Sequence, residues 1–447
     1  MRGFLLDLNR CTGCHACQLA CSIQNDLGFE NSWRRVYTHN PRLRPGVAAF
    51  HLSIGCLHCA DPACMRSCPA SAYRRDHGTG AVLLDAGLCI GCRYCHWACP
   101  FDAPRFSSQA GTMSKCTFCN DRLQEGKEPA CTSLCPTGAL KVTEVQDGER
   151  PASIPGFPST GIGPAVRFVP LRSTGQGPEM AAVEEPPQAA ADEARRDSTL
   201  PAKVTIESEW SLVFFSVAAA LLVALAAEAI SGSARIQASN FLAASLGTLL
   251  ISALHLGKRL RAWRAILNLR TSWLSREVAS YLGFAILSSA MFLLPRTAPL
   301  LAWPAVLAGF TALFCIDRVY ESVSGYRWAR LHSARTLLTG LFLFSILDLN
   351  LPVAGMAGML KLVLYAYRQS WFKSRARALA SAMRLLLGFV VPLAIWEVFP
   401  EWILPSVLVA EVIDRCEYYL DLDVVGIFRA QASRPMPHVV VQTGRWI

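Results

Sequence analysis

Residues 89–100 read Cys89-Ile-Gly-Cys-Arg-Tyr-Cys-His-Trp-Ala-Cys-Pro100. The spacing C-x2-C-x2-C-x3-C-P wraps three thiolates round one iron–sulfur cubane and sends the fourth elsewhere, while the proline halts the local turn. Working outward, the same spacing recurs at Cys11, Cys14, Cys17 and Cys21, and a close variant at Cys56, Cys59, Cys64 and Cys68 before Pro69. A fourth run, Cys116, Cys119, Cys131 and Cys135, is stretched by an eleven-residue insertion and closed by Pro136. All sixteen ligand positions are filled, and they account for sixteen of the 18 cysteines.

Two other uses of cysteine fit less well. Zinc asks for isolated groups of four, typically two pairs separated by a longer loop, and has no need of a ligand three residues downstream followed by proline. Disulfides belong to oxidising compartments, and cysteines two residues apart hold a metal far more readily than they bond each other. Only ten residues precede Cys11, too few for a cleavable secretory signal, and no twin-arginine motif is expected there. In two-cluster ferredoxins the fourth cysteine of each run serves the other run's cluster. Nested pairing of the second run with the third, and the first with the fourth, then predicts four ligand sets. These are Cys56, Cys59, Cys64 with Cys99; Cys89, Cys92, Cys95 with Cys68; Cys11, Cys14, Cys17 with Cys135; and Cys116, Cys119, Cys131 with Cys21.

Composition changes abruptly along the 447 residues. After residue 208 apolar segments near 210–230, 238–256, 277–295, 297–316, 336–351, 352–367, 379–396 and 402–420 each approach the length that crosses roughly 30 Å of hydrocarbon as helix. The expected architecture is therefore α+β: a double ferredoxin-like four-cluster domain over residues 1–145, a Pro/Gly/Ala-rich linker over 146–207, an all-α polytopic membrane domain of about eight helices over 208–425, and a tail over 426–447. Within the linker, residues 155–169 are apolar enough to lie extended on a surface, whereas 172–203 read as flexible polypeptide with a reach of roughly 30 Å. The formal charge of +10 sits in short loops between apolar segments, as membrane proteins arrange it, so nucleic acid is not an expected partner.

The stretches CTGCHACQLAC, CLHCADPACMRSCP, CIGCRYCHWACP and KCTFCNDRLQEGKEPACTSLCP, with Arg93-Tyr94 and Asp121-Arg122 between them, resemble the electron-transfer subunit of dimethyl sulfoxide reductase-like molybdoenzymes. The loop His255 to Glu277 and the segment Glu411 to Tyr419 resemble the anchor subunit of the same family. The resemblance implies four [4Fe-4S] clusters, no haem, one quinol site on the cluster side of the anchor, and a separate molybdopterin-containing catalytic subunit as partner. The absence of paired histidines at haem spacing inside the apolar segments agrees. Menaquinol and ubiquinol are both admitted.

His255 is the leading quinol ligand, since an imidazole at a membrane interface can accept a hydroxyl hydrogen bond and then its proton at neutral pH. Glu277 is expected to relay the proton, with Arg261 and Arg264 holding the loop and the quinone oxygen. Lys361, Arg384, Glu228 and Glu411 fall in or near apolar segments and need pairing or snorkelling. The chain thus reads as a non-catalytic subunit of an oxidoreductase complex: it oxidises quinol in the cell inner membrane and passes electrons through its clusters to a partner that reduces an oxidised small molecule. Reverse flow into quinone, and a membrane iron–sulfur sensor without turnover, are the alternatives. Sidedness rests on charge. Lys258, Arg259, Arg261, Arg264, Arg270, Arg276, Arg318, Arg327, Arg330, Arg335, Arg368, Lys373, Arg375 and Arg377 share the cluster face against Arg235 and Arg296 opposite, which favours the cytoplasm for the clusters, whereas the family resemblance implies a cluster subunit carried to the periplasm with its catalytic partner.

Overall fold

The computed structural model describes all residues except 29–30, 40–48, 147–150, 152, 155–156, 173–202, 232–236, 295–297, 325–330, 372–376, 423, 425 and 428–447. The flexible part of the expected linker, nearly all of the tail, and Arg235, Arg296, Arg327, Arg330, Lys373 and Arg375 of the charge count lie outside the described residues.

The first half is built from short elements: β1 (Arg2–Asp7), α1 (Ala16–Gln24), β2 (Arg35–His39), β3 (Phe50–Ile54), α2 (Ala63–Ser67), β4 (Tyr73–Arg75), β5 (Val82–Leu84), α3 (Tyr94–Ala98), β6 (Arg105–Ser107), β7 (Thr112–Ser114), α4 (Asn120–Gln124), α5 (Ala130–Ser133), β8 (Leu140–Glu144) and β9 (Val166–Val169). Helix α2 packs on α3, and α1 on α5, so the second cysteine run faces the third and the first faces the fourth. Hairpins β2–β3, β4–β5 and β6–β7 surround this double unit, and β1 is flanked by β8 and β9.

Strand β9 departs from expectation. Residues 166–169 lie within the stretch assigned to the linker, yet they run parallel to β1, with Phe4 opposite Val166 and Leu6 opposite Phe168. Ile154, Phe157, Val166 and Phe168 are buried in the same core as Phe4 and Leu6. Removing these apolar side chains from water outweighs the irregular, Pro- and Gly-rich backbone that carries them. Part of the stretch read as linker is therefore packed on the same core as β1.

The second half is helical: α6 (Ile206–Ser231), α7 (Ala238–Ala253), α8 (Trp273–Leu293), α9 (Ala298–Val323), α10 (Thr336–Leu347), α11 (Leu351–Trp371), α12 (Ala378–Leu385) running through a π-helical turn (Leu386–Val390) into α13 (Val391–Ile395), and α14 (Ile403–Asp421). Helical segments thus occupy each of the eight apolar stretches. Among the described residues three, at 206–230, 298–323 and 378–395, are long and apolar enough to cross a membrane by length and composition, while 238–253 and 336–347 are shorter apolar helices. Helix α6 is apolar on every side and central: it packs against α7, α9, α10 and α14. Ile286, Leu300, Trp303, Leu307, Met356, Leu379 and Leu393 are each about two-thirds exposed or more. An apolar belt of that extent is stable against lipid, not water.

Lys361, Arg384 and Glu411, three of the charges that fall in apolar segments, pair with one another. Glu411, Asp414, Glu417 and Asp421 line one face of α14 and meet Lys361 and Arg368 of α11 and Arg377 and Arg384 at α12. Lys361 Nζ lies 2.7 Å from Glu411 Oε2, and Arg384 Nη2 donates to Asp414 Oδ2 at 3.0 Å. Lys361 and Arg384 are completely buried, so pairing rather than snorkelling accommodates them. Hydrocarbon offers helices no hydrophobic reason to associate, and this ladder of four acids and four bases supplies a polar one.

Candidate functional site

The sixteen thiols gather in four groups. Cys56, Cys59, Cys64 and Cys99 line one cavity, Cys21, Cys116, Cys119 and Cys131 a second, and Cys11, Cys14, Cys17 and Cys135 a third, of about 360, 300 and 320 Å³ with the open mouth of each included. The remaining four, Cys68, Cys89, Cys92 and Cys95, lie within electrostatic reach of one another. Each group takes three thiols from one run and the last thiol of the partner run. This is the crossed grouping.

Local backbone shapes the loops. Gly13 and Gly91, each just before the second cysteine of its run, have φ of +69° and +72°, and His15 and Arg93 just after it have φ of 60°. The turn at Gly91 aims its own amide at Cys89 Sγ, 3.4 Å away, and amides in the other runs also face sulfur: Ala72 N to Cys68 Sγ at 3.4 Å, Phe118 N to Cys116 Sγ at 3.3 Å and Leu140 N to Cys135 Sγ at 3.5 Å. Two buried cations stand among the groups. Lys115 Nζ reaches Cys56 Sγ at 3.5 Å and Cys116 O at 2.8 Å, and Arg34 Nη1 donates to Ser53 O at 3.2 Å within electrostatic reach of Cys17, Cys21, Cys116 and Cys131.

Iron–sulfur clusters fit this arrangement. Burial pushes the Cys99 and Cys131 thiols up to about 11 and those of Cys59, Cys64 and Cys92 further, so near neutrality they stay protonated unless metal takes the proton's place. Among the described residues no three His, Cys, Asp or Glu side chains converge as a single metal ion would require. A cubane, by contrast, holds its four thiolates apart around a cavity.

The group of Cys68, Cys89, Cys92 and Cys95 faces the helical half. Asn268 Nδ2 donates to Cys68 O at 2.9 Å, Ser272 Oγ to Ser67 O at 2.9 Å, Lys258 N to Ile90 O at 3.1 Å, and Tyr94 packs into the bundle with its hydroxyl 2.7 Å from Ser322 Oγ. Arg261 Nη1 donates to Ala86 O at 2.9 Å and Cys89 O at 3.2 Å, tying the loop after α7 to the loop that carries Cys89. Arg264 stacks on Trp263, its guanidinium carbon 5.1 Å from the ring centroid.

His255 lies in the loop after α7, and its Nδ1 is bonded to Ser252 O. That carbonyl can only accept, which fixes the proton on Nδ1 and leaves Nε2 as an acceptor. Burial first, offset in part by the Ser252 bond and then reinforced by the charge of Arg93, lowers its pKa to about 4. It is a neutral base at pH 7. Glu277 is buried one turn into α8, within electrostatic reach of Arg415 and Asp317.

Sequence reasoning passed over one pair here. Glu209 Oε1 stands 3.7 Å from Arg93 Nη1, joining the start of α6 to the loop between Cys92 and Cys95. Glu209 immediately precedes the first apolar run, and nothing local in the sequence links it to Arg93.

Two family models match the sequence: a 4Fe-4S dicluster domain over residues 47–145 and the DMSO reductase anchor subunit (DmsC) over residues 205–348. Among curated proteins, the probable anaerobic dimethyl sulfoxide reductase chain YnfG of Escherichia coli K12 is 44% identical over 153 residues, covering 32% of this chain and 74% of the relative. A chain of the anaerobic dimethyl sulfoxide reductase of the same strain is 46% identical over 146 residues, covering 31% and 71%. A subunit of the sulfite dehydrogenase of Allochromatium vinosum is 35% identical over 199 residues, covering 38% and 83%.

Proposed function

This protein belongs to the dimethyl sulfoxide reductase family of iron–sulfur subunits, with an anchor of the same system in the same polypeptide, and on that premise we propose that it oxidises membrane quinol and delivers the electrons to a molybdopterin-containing catalytic subunit. The observation that carries the proposal is the gathering of four complete thiol groups in one domain, one of them hydrogen-bonded to the anchor through the residues around Cys68 and Cys89. A [4Fe-4S] cluster bound by each group supplies a one-electron relay. The residues of the chain do the rest. His255 Nε2 accepts the hydroxyl proton, Arg261 and Asn268 fix the cluster loop over the anchor, Glu277 takes the proton onward, and Lys115 and Arg34 favour arrival of negative charge at the buried groups. The eight helical segments are read as eight crossings of the inner membrane, and the lysine and arginine asymmetry as placing the cluster face in the cytoplasm.

The likeness to a sulfite dehydrogenase subunit favours a second reading with the same residues, in which a partner oxidises its substrate and electrons run into quinone. Both predict chemical coupling between quinone and clusters. The test is to mix the purified protein, clusters intact, with menadiol or decylubiquinol and follow cluster reduction by paramagnetic resonance and visible bleaching. Reduction within seconds is expected. Clusters that answer to dithionite but to neither quinol would remove the quinol reading. Alkaline phosphatase activity from a fusion after Ile447, with the catalytic partner co-expressed, would move the cluster face to the periplasm.

A further inference from the structure

We propose that Glu209, held by Arg93 of the cluster domain, is the carboxylate that takes a proton from quinol. The proposal deepens the quinol reading and rests on it.

Four observations meet at this residue. First, α6 is not helical at Glu209, where φ is −125° and ψ is 16°. The turn before it is held separately by Thr205 and Ser208, with Ser208 N donating to Thr205 Oγ1 at 3.2 Å, so regular helix begins only beyond the break. Second, Glu209 is 1% exposed; the neighbouring Ser208 hydroxyl interacts with its carboxylate, yet Oε2 itself has no partner at hydrogen-bond geometry among the described residues. A buried carboxylate oxygen left bare is costly, and a bound hydroxyl would satisfy it. Third, its only ion-pair partner among the described residues is Arg93, which stands next to Cys92, caps α3 in a left-handed conformation and lies over Phe106 with its guanidinium carbon 4.3 Å from the ring centroid. Fourth, the surroundings suit a quinol head. His255 lies within reach of the Arg93 charge, and Tyr320 and Tyr419, hydroxyl to hydroxyl, lie within reach of the Glu209 charge. Trp97 of α3 is stacked on Tyr320 with centroids 6.3 Å apart.

Oxidation of one quinol breaks two O–H bonds and releases two protons and two electrons. One proton goes to Glu209 Oε2 and the other to His255 Nε2, while the two electrons would leave singly to a cluster that Cys68, Cys89, Cys92 and Cys95 would hold, and quinone departs. A proton on Glu209 cancels its charge and leaves Arg93 to face the extra negative charge arriving beside Cys92. Proton uptake and electron uptake therefore favour each other across a single ion pair.

Glu209→Gln in the intact protein tests this, with menadiol as the probe. The expected result is a fall of about 100-fold or more in the rate constant of quinol-driven cluster reduction, in line with loss of a proton acceptor. KM for menadiol should stay within about threefold and dithionite should reduce the clusters as in wild type. A role confined to docking the two halves would leave the rate nearly unchanged, because glutamine still bonds Arg93; a rate within about threefold of wild type overturns the proposal. Should Glu209→Gln fail to assemble, Glu209→Asp carries the test, since it keeps the charge but draws the carboxylate back by one methylene. A fall of about tenfold or more with normal dithionite reduction supports the role, and a wild-type rate overturns it. Failure of the quinol reading itself is distinguishable: wild type would then show no menadiol-driven reduction at all.

Discussion

Gly257 of the anchor and Gly111 of the cluster domain touch backbone to backbone: a Cβ built on Gly257 would overlap the carbonyl of Gly111, and one built on Gly91 would collide with both. The contact sits beside the Lys258 N to Ile90 O hydrogen bond, one residue from Cys89. Gly257→Val should push the halves apart at a cost of about 1–3 kcal/mol. Quinol-driven reduction should slow by about tenfold or more while dithionite still reduces every cluster, as stopped-flow bleaching would report.

The crossed grouping makes a specific statement about cysteine variants. Intact protein should hold about sixteen iron and as much acid-labile sulfide. Cys99→Ser should perturb the same paramagnetic signal as Cys56→Ser, and a different one from Cys92→Ser, although Cys99 and Cys92 belong to one sequence run. Matching spectra for Cys99→Ser and Cys92→Ser would mean uncrossed sets.

Lys361 and Glu411 form one fully buried rung of the ladder on α14. Lys361→Met leaves Glu411 and Asp414 buried beside a single remaining cation and should cost about 3–5 kcal/mol. A lower melting temperature in detergent measures it. Pairing that change with Glu411→Leu should recover part of the loss.

His255, with its pKa lowered to about 4, is neutral through the physiological range. Quinol-driven reduction should therefore lose no His255 contribution as pH falls from 7 to about 5, and should lose it only as pH approaches 4. An ordinary surface histidine would lose it near 6.5. His255→Ala should abolish the reaction with clusters still assembled, and a pH–rate series on both proteins checks the assignment.

The thiol runs and the helices were readable because their causes are local. Sulfur spacing within a run is set by one turn of backbone, and an apolar stretch long enough to cross a bilayer has few other stable forms. Strand β9 was not readable, because its four residues follow a Pro- and Gly-rich stretch and their partner β1 lies at the opposite end of the domain. The Arg93–Glu209 pair was hidden for the same reason. Lys361, Arg384 and Glu411 announced that charges needed partners; only the packing of α11, α12 and α14 shows which. Asp414, Glu417 and Asp421 share the helical face of Glu411, a periodicity present in the sequence that a search for isolated charges overlooked.

The nesting of the cysteine runs also sets a timetable. Every thiol of the two inner groups has been synthesised once Cys99 is added, whereas the outer groups wait for Cys135, 36 residues later, or roughly 2–7 s at ordinary synthesis rates. Strand β9 closes the sheet round β1 later still. Iron delivered during synthesis can thus fill the domain from the membrane side outward, and a short pulse of labelled iron would mark the groups of Cys56 and Cys92 before those of Cys14 and Cys119.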